Sequence, residues 1–245
     1  MPPILYSVGL IALGLLPSLV WLVFYFREDC HPEPKHLIAR AFLMGIIISP
    51  IAIILQYAFI KLTANFYLES IVSRSPGFFL WSAFIEEFIK FYAIKLSIMN
   101  NPEFDEPIDA MIYMVAAGLG FAGIENILIT FQTFPDGTAT LVSLLTLRFI
   151  GATLLHALSS ALLGYFLAMA WFFRNHHKKL IIIGLTIATI FHFTFNMLIA
   201  SFQDQASTLV YTTALLLMMA FLVSILFGKM RGRHPAKTHE SIQTF

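Results

Sequence analysis

Charge is what this chain has least of. Asp, Glu, Lys and Arg make up 12% of its 245 residues, about half the share of a soluble domain, while 58% are hydrophobic. That balance excludes an ordinary soluble enzyme and leaves a polytopic membrane protein. A single cysteine, Cys30, excludes an internal disulfide. No stripe of Lys and Arg suggests a nucleic-acid partner, and none is expected. The first residues lack the basic region of a secretory signal, so the first apolar segment is expected to be retained. No H-E-x-x-H motif is present, which argues against zincin geometry. No internal repeat stands out, so the usual signature of secondary transporters is missing.

What is there is a series of apolar runs. Seven are long enough to span a membrane: 4–26, 37–60, 77–99, 108–131, 143–173, 180–202 and 208–228. The fifth is overlong for a single crossing, so tilt or an interfacial first part is expected. Lipid-exposed backbone must satisfy its own hydrogen bonds, so the runs are read as helices. The expected fold is an all-α transmembrane bundle of about seven spans over residues 1–228. A basic tail, 229–245, is expected to be disordered or to rest on anionic lipid.

Orientation follows from Lys and Arg in the loops. One side carries Arg27, Lys35, Arg174, Lys178, Lys179, Lys229, Arg231, Arg233 and Lys237; the other carries only Lys61 and Arg74. The basic side is expected to be cytoplasmic, with the N-terminus outside and the C-terminus inside.

Against this background, Phe84-Ile85-Glu86-Glu87-Phe88-Ile89-Lys90 stands out. Each charge inside a span costs about 2.5–3.5 kcal/mol on insertion scales. Glu86 lies four residues before Lys90 and Glu87 three, so on a helix either can pair with it, but not both at once. One glutamate is left for other work. Further polar groups lie deep in other spans: Glu125 and Asn126, His156, and His192 with Asn196. Counted along the helices, most fall in one layer, roughly 9–15 Å below the outer edge at about 1.5 Å per residue. Gly118, Gly120 and Gly123 let the fourth span approach its neighbours closely.

Taken singly, each residue has an ordinary reading. A membrane histidine or asparagine often only hydrogen-bonds a neighbouring helix. Arg148 is expected to snorkel to the interface, and Ser159 and Ser160 to bond their own backbone. Together the groups form a buried polar site, which is a functional site by default. A carboxylate beside an imidazole can take a proton from water and return it to a leaving group. His192 and Asn196, one turn apart, can both donate to a developing oxyanion. Glu86, Glu87, Glu125, His156 and His192 could instead hold a divalent metal such as zinc. The same acids and histidines would serve a proton- or cation-coupled transporter, and the fold alone would serve a non-catalytic membrane chaperone.

The ordered motifs resemble a known family. They are Asp29 with Pro32-Glu33-Pro34; Glu86-Glu87-x-x-Lys90; Pro107-x-Asp109-Ala110; Gly118-Leu119-Gly120-Phe121-Ala122 through Glu125-Asn126; His156-Ala157 with Gly164-Tyr165; and His192-x-x-x-Asn196. This set resembles the PrsW family of intramembrane proteases, within the wider CAAX-protease and bacteriocin-processing superfamily. The resemblance implies a bundle of eight or fewer helices around a glutamate-centred site. It also implies cleavage of a single-pass membrane protein, in PrsW relatives an anti-sigma factor. By analogy with CAAX proteases, Glu86 or Glu87 with His156 would activate water, and His192 with Asn196 would stabilise the oxyanion. Lys90, where CAAX-type enzymes have a later Arg, favours the PrsW branch and would support the site with Glu125 and Asn126. The resemblance leaves metal-assisted and purely glutamate-dependent hydrolysis both open.

Overall fold

The computed structural model describes residues 3–27, 33–64, 66, 68–202 and 204–231. Among these it contains nine α-helices and no strand. They are α1 (Pro3–Phe26), α2 (Lys35–Ala64), α3 (Glu69–Val72), α4 (Pro76–Ser97), α5 (Pro107–Thr133), α6 (Thr138–Ile150), α7 (Ala152–Phe172), α8 (His177–Ser201) and α9 (Gln205–Arg231). Asp29, Cys30 and Pro32 lie outside the described residues. So does the expected disordered tail, apart from Lys229, Met230 and Arg231, which extend α9.

Helix starts follow local chemistry. Ser75 caps α4 by accepting a hydrogen bond from the Phe78 amide at 3.2 Å, and Pro76 occupies the first turn, where no amide donor is needed. At α5, Glu106 and Asp109 form a reciprocal capping box around Pro107. Pro17 and Pro50 sit inside α1 and α2 without ending them, as neighbouring helices in a membrane allow.

Six stretches among the described residues are long and apolar enough to cross a membrane. Two of the expected seven spans differ in detail from the expectation. The run 143–173 is not one tilted helix: it breaks at Gly151, whose φ of −106° and ψ of −98° interrupt the helical path between α6 and α7. The third expected span, α4, is 22 residues long but carries Glu86, Glu87, Lys90 and Lys95, and by apolarity it is not among the six. It is shielded instead. Glu86, Glu87 and Lys90 turn inward, and the helix packs between α2 and α8.

The centre of the bundle is α5, with 72% of its most apolar stretch buried. It touches α1, α2 and α7 along most of its length. Three glycines face three different neighbours. A Cβ on Gly120 would lie 2.0 Å from the Phe42 carbonyl oxygen of α2; on Gly118, 2.2 Å from Ser160 Oγ of α7; on Gly123, 3.0 Å from Leu15 Cδ2 of α1. The α2 side is reciprocal, because a Cβ on Gly45 would come 2.1 Å from the Ala117 carbonyl. Close backbone approach of this kind holds membrane helices together where lipid is as apolar as leucine. It brings α2, α4, α7 and α8 near enough for their polar groups to meet.

Candidate active site

Adjacent residues on a helix point about 100° apart. Glu86 and Glu87 therefore look in different directions from α4, and the structure uses both. Glu87, with no exposed surface, takes the lysine: Lys90 Nζ donates to Glu87 Oε1 at 2.7 Å. The same oxygen accepts from Ser159 Oγ of α7 at 2.9 Å and faces His192 Nδ1 of α8 at 2.8 Å. Glu86 turns toward α2, where its Oε1 accepts from Gln56 Nε2 at 2.8 Å and from Ser82 Oγ at 2.9 Å. Its Oε2 has no hydrogen-bond partner and lies 3.5 Å from His192 Nε2.

A second arm runs through α5, α6 and α7. Lys90 Nζ also lies 2.7 Å from His156 Nδ1, and His156 Nε2 lies 3.1 Å from Glu125 Oε2. An ammonium can only donate, so His156 Nδ1 accepts and its Nε2–H donates to Glu125. Arg148 closes the arm, with Nη2 3.0 Å from Glu125 Oε2 and Nε 2.6 Å from Asn126 Oδ1. Asn126 Nδ2 donates to Thr153 Oγ1 at 3.0 Å. The two imidazole rings meet edge to face, with centroids 5.1 Å apart. Lys90 lies 5.0 Å over the Phe121 ring, a cation–π contact that helps hold a fully buried ammonium.

Glu87, Lys90, Glu125, Asn126, His156 and His192 thus join one hydrogen-bonded cluster, and Glu86 lies against it with Oε2 3.5 Å from His192 Nε2. Asn196, one turn beyond His192, is half-buried and takes no part in these bonds. Arg148 does not snorkel away; it binds Glu125 and Asn126. Ser159 bonds across to Glu87 as well as to its own backbone at 3.3 Å. Gln56 and Ser82 were not anticipated. Ser82 lies one turn before Glu86, which is a usable signal; Gln56 had none beyond being polar in an apolar run.

The charges do not cancel. Three carboxylates, Glu86, Glu87 and Glu125, face two basic side chains, Lys90 and Arg148. One negative charge is left for a proton or a bound cation to balance. The position for it is visible. Glu87, already paired with Lys90, accepts the Nδ1–H of His192, which leaves the Nε2 lone pair of His192 facing the free Glu86 Oε2. Two acceptors in contact need something positive between them. One ligand atom each from Glu86, His156 and His192 lies within 4.8 Å of the others. Two imidazoles and one carboxylate are a donor set found at catalytic zinc, and a carboxylate behind a metal-bound imidazole is its usual support. The residues present therefore fit a divalent ion. For His156 to serve as a ligand, one of its two hydrogen bonds must give way.

A model of the PrsW family intramembrane metalloprotease matches residues 33–226. The chain belongs to the PrsW family. Among curated relatives it is 28% identical to Protease PrsW of Oceanobacillus iheyensis over 210 residues, covering 86% of this chain and 91% of the relative. It is 31% identical to Protease PrsW of Geobacillus kaustophilus, over 67% of this chain and 68% of the relative. To Protease PrsW of Bacillus subtilis it is 25% identical, over 80% and 85%. No solved structure is a significant match. The PrsW assignment makes the chain a multi-pass intramembrane protease, in agreement with the expected family and enzyme class and against the transporter and chaperone readings.

Proposed function

We propose that the Glu/His cluster is the hydrolytic centre and that Glu86 is its base. The observation that carries this reading is the buried, unpartnered Glu86 Oε2 facing His192 Nε2. One oxygen of Glu87, Oε1, is taken by Lys90, Ser159 and His192, and its Oε2 is buried without a partner; with His192 held through Oε1, Glu87 acts as the group that fixes the imidazole. A water between Glu86 and His192 gives a proton to Glu86 Oε2, and its oxygen attacks the scissile carbonyl carbon. Asn196, outside the bonded cluster and one turn along α8, donates to the oxyanion that forms. The proton then passes from Glu86 to the departing amine as the C–N bond breaks, leaving a carboxyl and an amine terminus. A divalent ion held by Glu86, His156 and His192 would acidify that water and polarise the carbonyl.

The substrate in this reading is a single-pass membrane protein of the anti-sigma-factor type, and the chain lies with its N-terminus outside and its C-terminus in the cytoplasm. Support for that direction comes from the bias of Lys and Arg among the loops. The test is coexpression with tagged single-pass anti-sigma factors in a strain lacking its own protease of this class. Wild-type chain should release a shortened product; Glu86→Gln and His192→Ala should not. A product of unchanged yield from Glu86→Gln removes Glu86 as the base. Labelling of single cysteines near each terminus from outside the cell checks the orientation.

A further inference from the structure

The two oxygens of Glu86 have different surroundings. Gln56 of α2 and Ser82, one turn before Glu86 on α4, form a closed triangle with Oε1. Gln56 Nε2 lies 2.8 Å from Ser82 Oγ and 2.8 Å from Glu86 Oε1, and Ser82 Oγ lies 2.9 Å from the same oxygen. The donors sort themselves. A carboxylate oxygen accepts, so the amide turns its NH2 toward it and gives one hydrogen to each partner. The serine hydroxyl accepts from Gln56 and gives its own hydrogen to Glu86. Both bonds to Glu86 end on Oε1. Neither reaches Oε2, which is buried and has no hydrogen-bond partner.

Gln56 stands on a fixed piece of backbone. Trp81, next to Ser82, donates its indole N–H to the carbonyl of Leu55, next to Gln56, at 3.3 Å. The same indole stacks on Phe59 of α2, with centroids 5.6 Å apart and planes at 19°. Ordering a glutamine side chain costs rotamer entropy; here the helix beneath it is already held against α4.

A polar bond between two membrane helices can serve packing alone. A bond made for packing is satisfied by either carboxylate oxygen. Here both donors converge on one oxygen, and the one left free is the one 3.5 Å from His192 Nε2.

We propose that Gln56 and Ser82 are positioning residues for the hydrolysis: they occupy Oε1 so that the proton taken from water goes to Oε2. The role rests on the reading of Glu86 as the base and adds how that base is aimed. A proton on Oε1 has to displace one of two donors, whereas Oε2 takes it freely and later releases it to the departing amine. The same two bonds fix the rotation of the carboxylate, which keeps Oε2 toward the imidazole. One donor comes from α2, so the seam between α2 and α4 is part of the reacting geometry.

The test uses the full chain, purified in detergent, and a tagged single-pass anti-sigma factor that the wild type cleaves. Gln56→Met keeps the side-chain length and loses the donors; Ser82→Ala loses the hydroxyl. Each should lower kcat by about tenfold, the scale of one hydrogen bond to a charged group. KM should stay within about twofold of wild type, as for an interaction that acts on the reaction and not on binding. Ser82→Thr, which keeps a hydroxyl, should restore most of kcat. Ile54→Ala, at a position 64% exposed on α2, is the control and should leave kcat unchanged. In the Glu86→Gln background, Gln56→Met should lower the residual rate no further. The infrared difference between Gln56→Met and wild type should show a change in carboxylate stretching that is absent from the same pair carrying Glu86→Gln. Unchanged kcat in both variants, a rise in KM alone, or a loss matched by loss of folded protein overturns the positioning role. So does an equal loss from Gln56→Met with and without Glu86→Gln, or an infrared spectrum in which the carboxylate does not respond. Failure of the base reading is distinct: Glu86→Gln itself then cleaves like wild type, and the positioning role falls with it.

Discussion

Two buried acid clusters share α5 and differ in what surrounds them. At the start of the helix, Asp109 accepts hydrogen bonds from the amides of Asp105 and Glu106 at 3.0 and 2.7 Å, and Tyr113 donates its hydroxyl to Glu33. Those partners are backbone and a phenol. They tie the segment before α2 and the start of α5 to the bundle. Toward the other end, Glu125 joins Glu86 and Glu87 in a cluster held by a lysine, an arginine and two histidines. Burial of acids is common to both. The second adds a lysine, an arginine and two histidines in contact with its acids, groups that can hold and pass a proton.

The largest separation between the clusters should come from neutralising one acid in each. Glu86→Gln is expected to lower cleavage by about 10²–10⁴-fold, the usual contribution of a general base, while the unfolding midpoint in detergent stays near wild type. Asp109→Asn is expected to do the reverse, with a lower midpoint and cleavage per folded molecule close to normal. A large catalytic loss from Asp109→Asn at unchanged stability would erase the distinction.

Lys90 tests whether the second cluster is also structural. Lys90→Met leaves Glu87 as an uncompensated buried charge, at a cost of about 3–5 kcal/mol. Adding Glu87→Gln should restore most of that stability without restoring activity. Denaturant titration of the single and double variants measures both.

The seam between α2 and α5 supports both clusters, so damage there should not discriminate. Gly120→Ala pushes a Cβ into the Phe42 carbonyl and should cost about 1–3 kcal/mol, with cleavage falling only as the folded fraction falls. Gly9→Ala, where nothing lies within 4 Å, is the silent control. The smallest effect expected is that of Tyr113→Phe, about 1 kcal/mol for one hydrogen bond, seen in the unfolding midpoint and absent from cleavage rates.

Much of the second cluster was legible because intramembrane charge is so unfavourable. Glu86, Glu87, Lys90, Glu125, His156 and His192 announce themselves by being where lipid should be. Their pairing was not legible. Spacing alone allowed Lys90 to take either glutamate, and the choice of Glu87 depends on Ser159 and His192 arriving from α7 and α8. Arg148 was misread because interfacial snorkelling and an ion pair with Glu125 demand the same residue at nearly the same height. The break at Gly151 left no trace in hydropathy, since Ile150-Gly151-Ala152 continues an apolar run; only backbone angles reveal it. The spans themselves were readable from length, except that α4 is sheltered by its neighbours and is not apolar enough by composition to count among the six.

That shelter has a consequence for biogenesis. Glu87 meets His192 across 105 positions of chain, so the ribosome delivers α4 to the membrane well before the helices that cover it. Until α7 and α8 follow, the segment with four ionic side chains has its own Lys90–Glu87 pair, α2 and then α5 beside it. Stable insertion of α4 and assembly of the Glu/His cluster are therefore one event. A chain truncated before α8 should be recognised by quality control as an unfinished membrane protein.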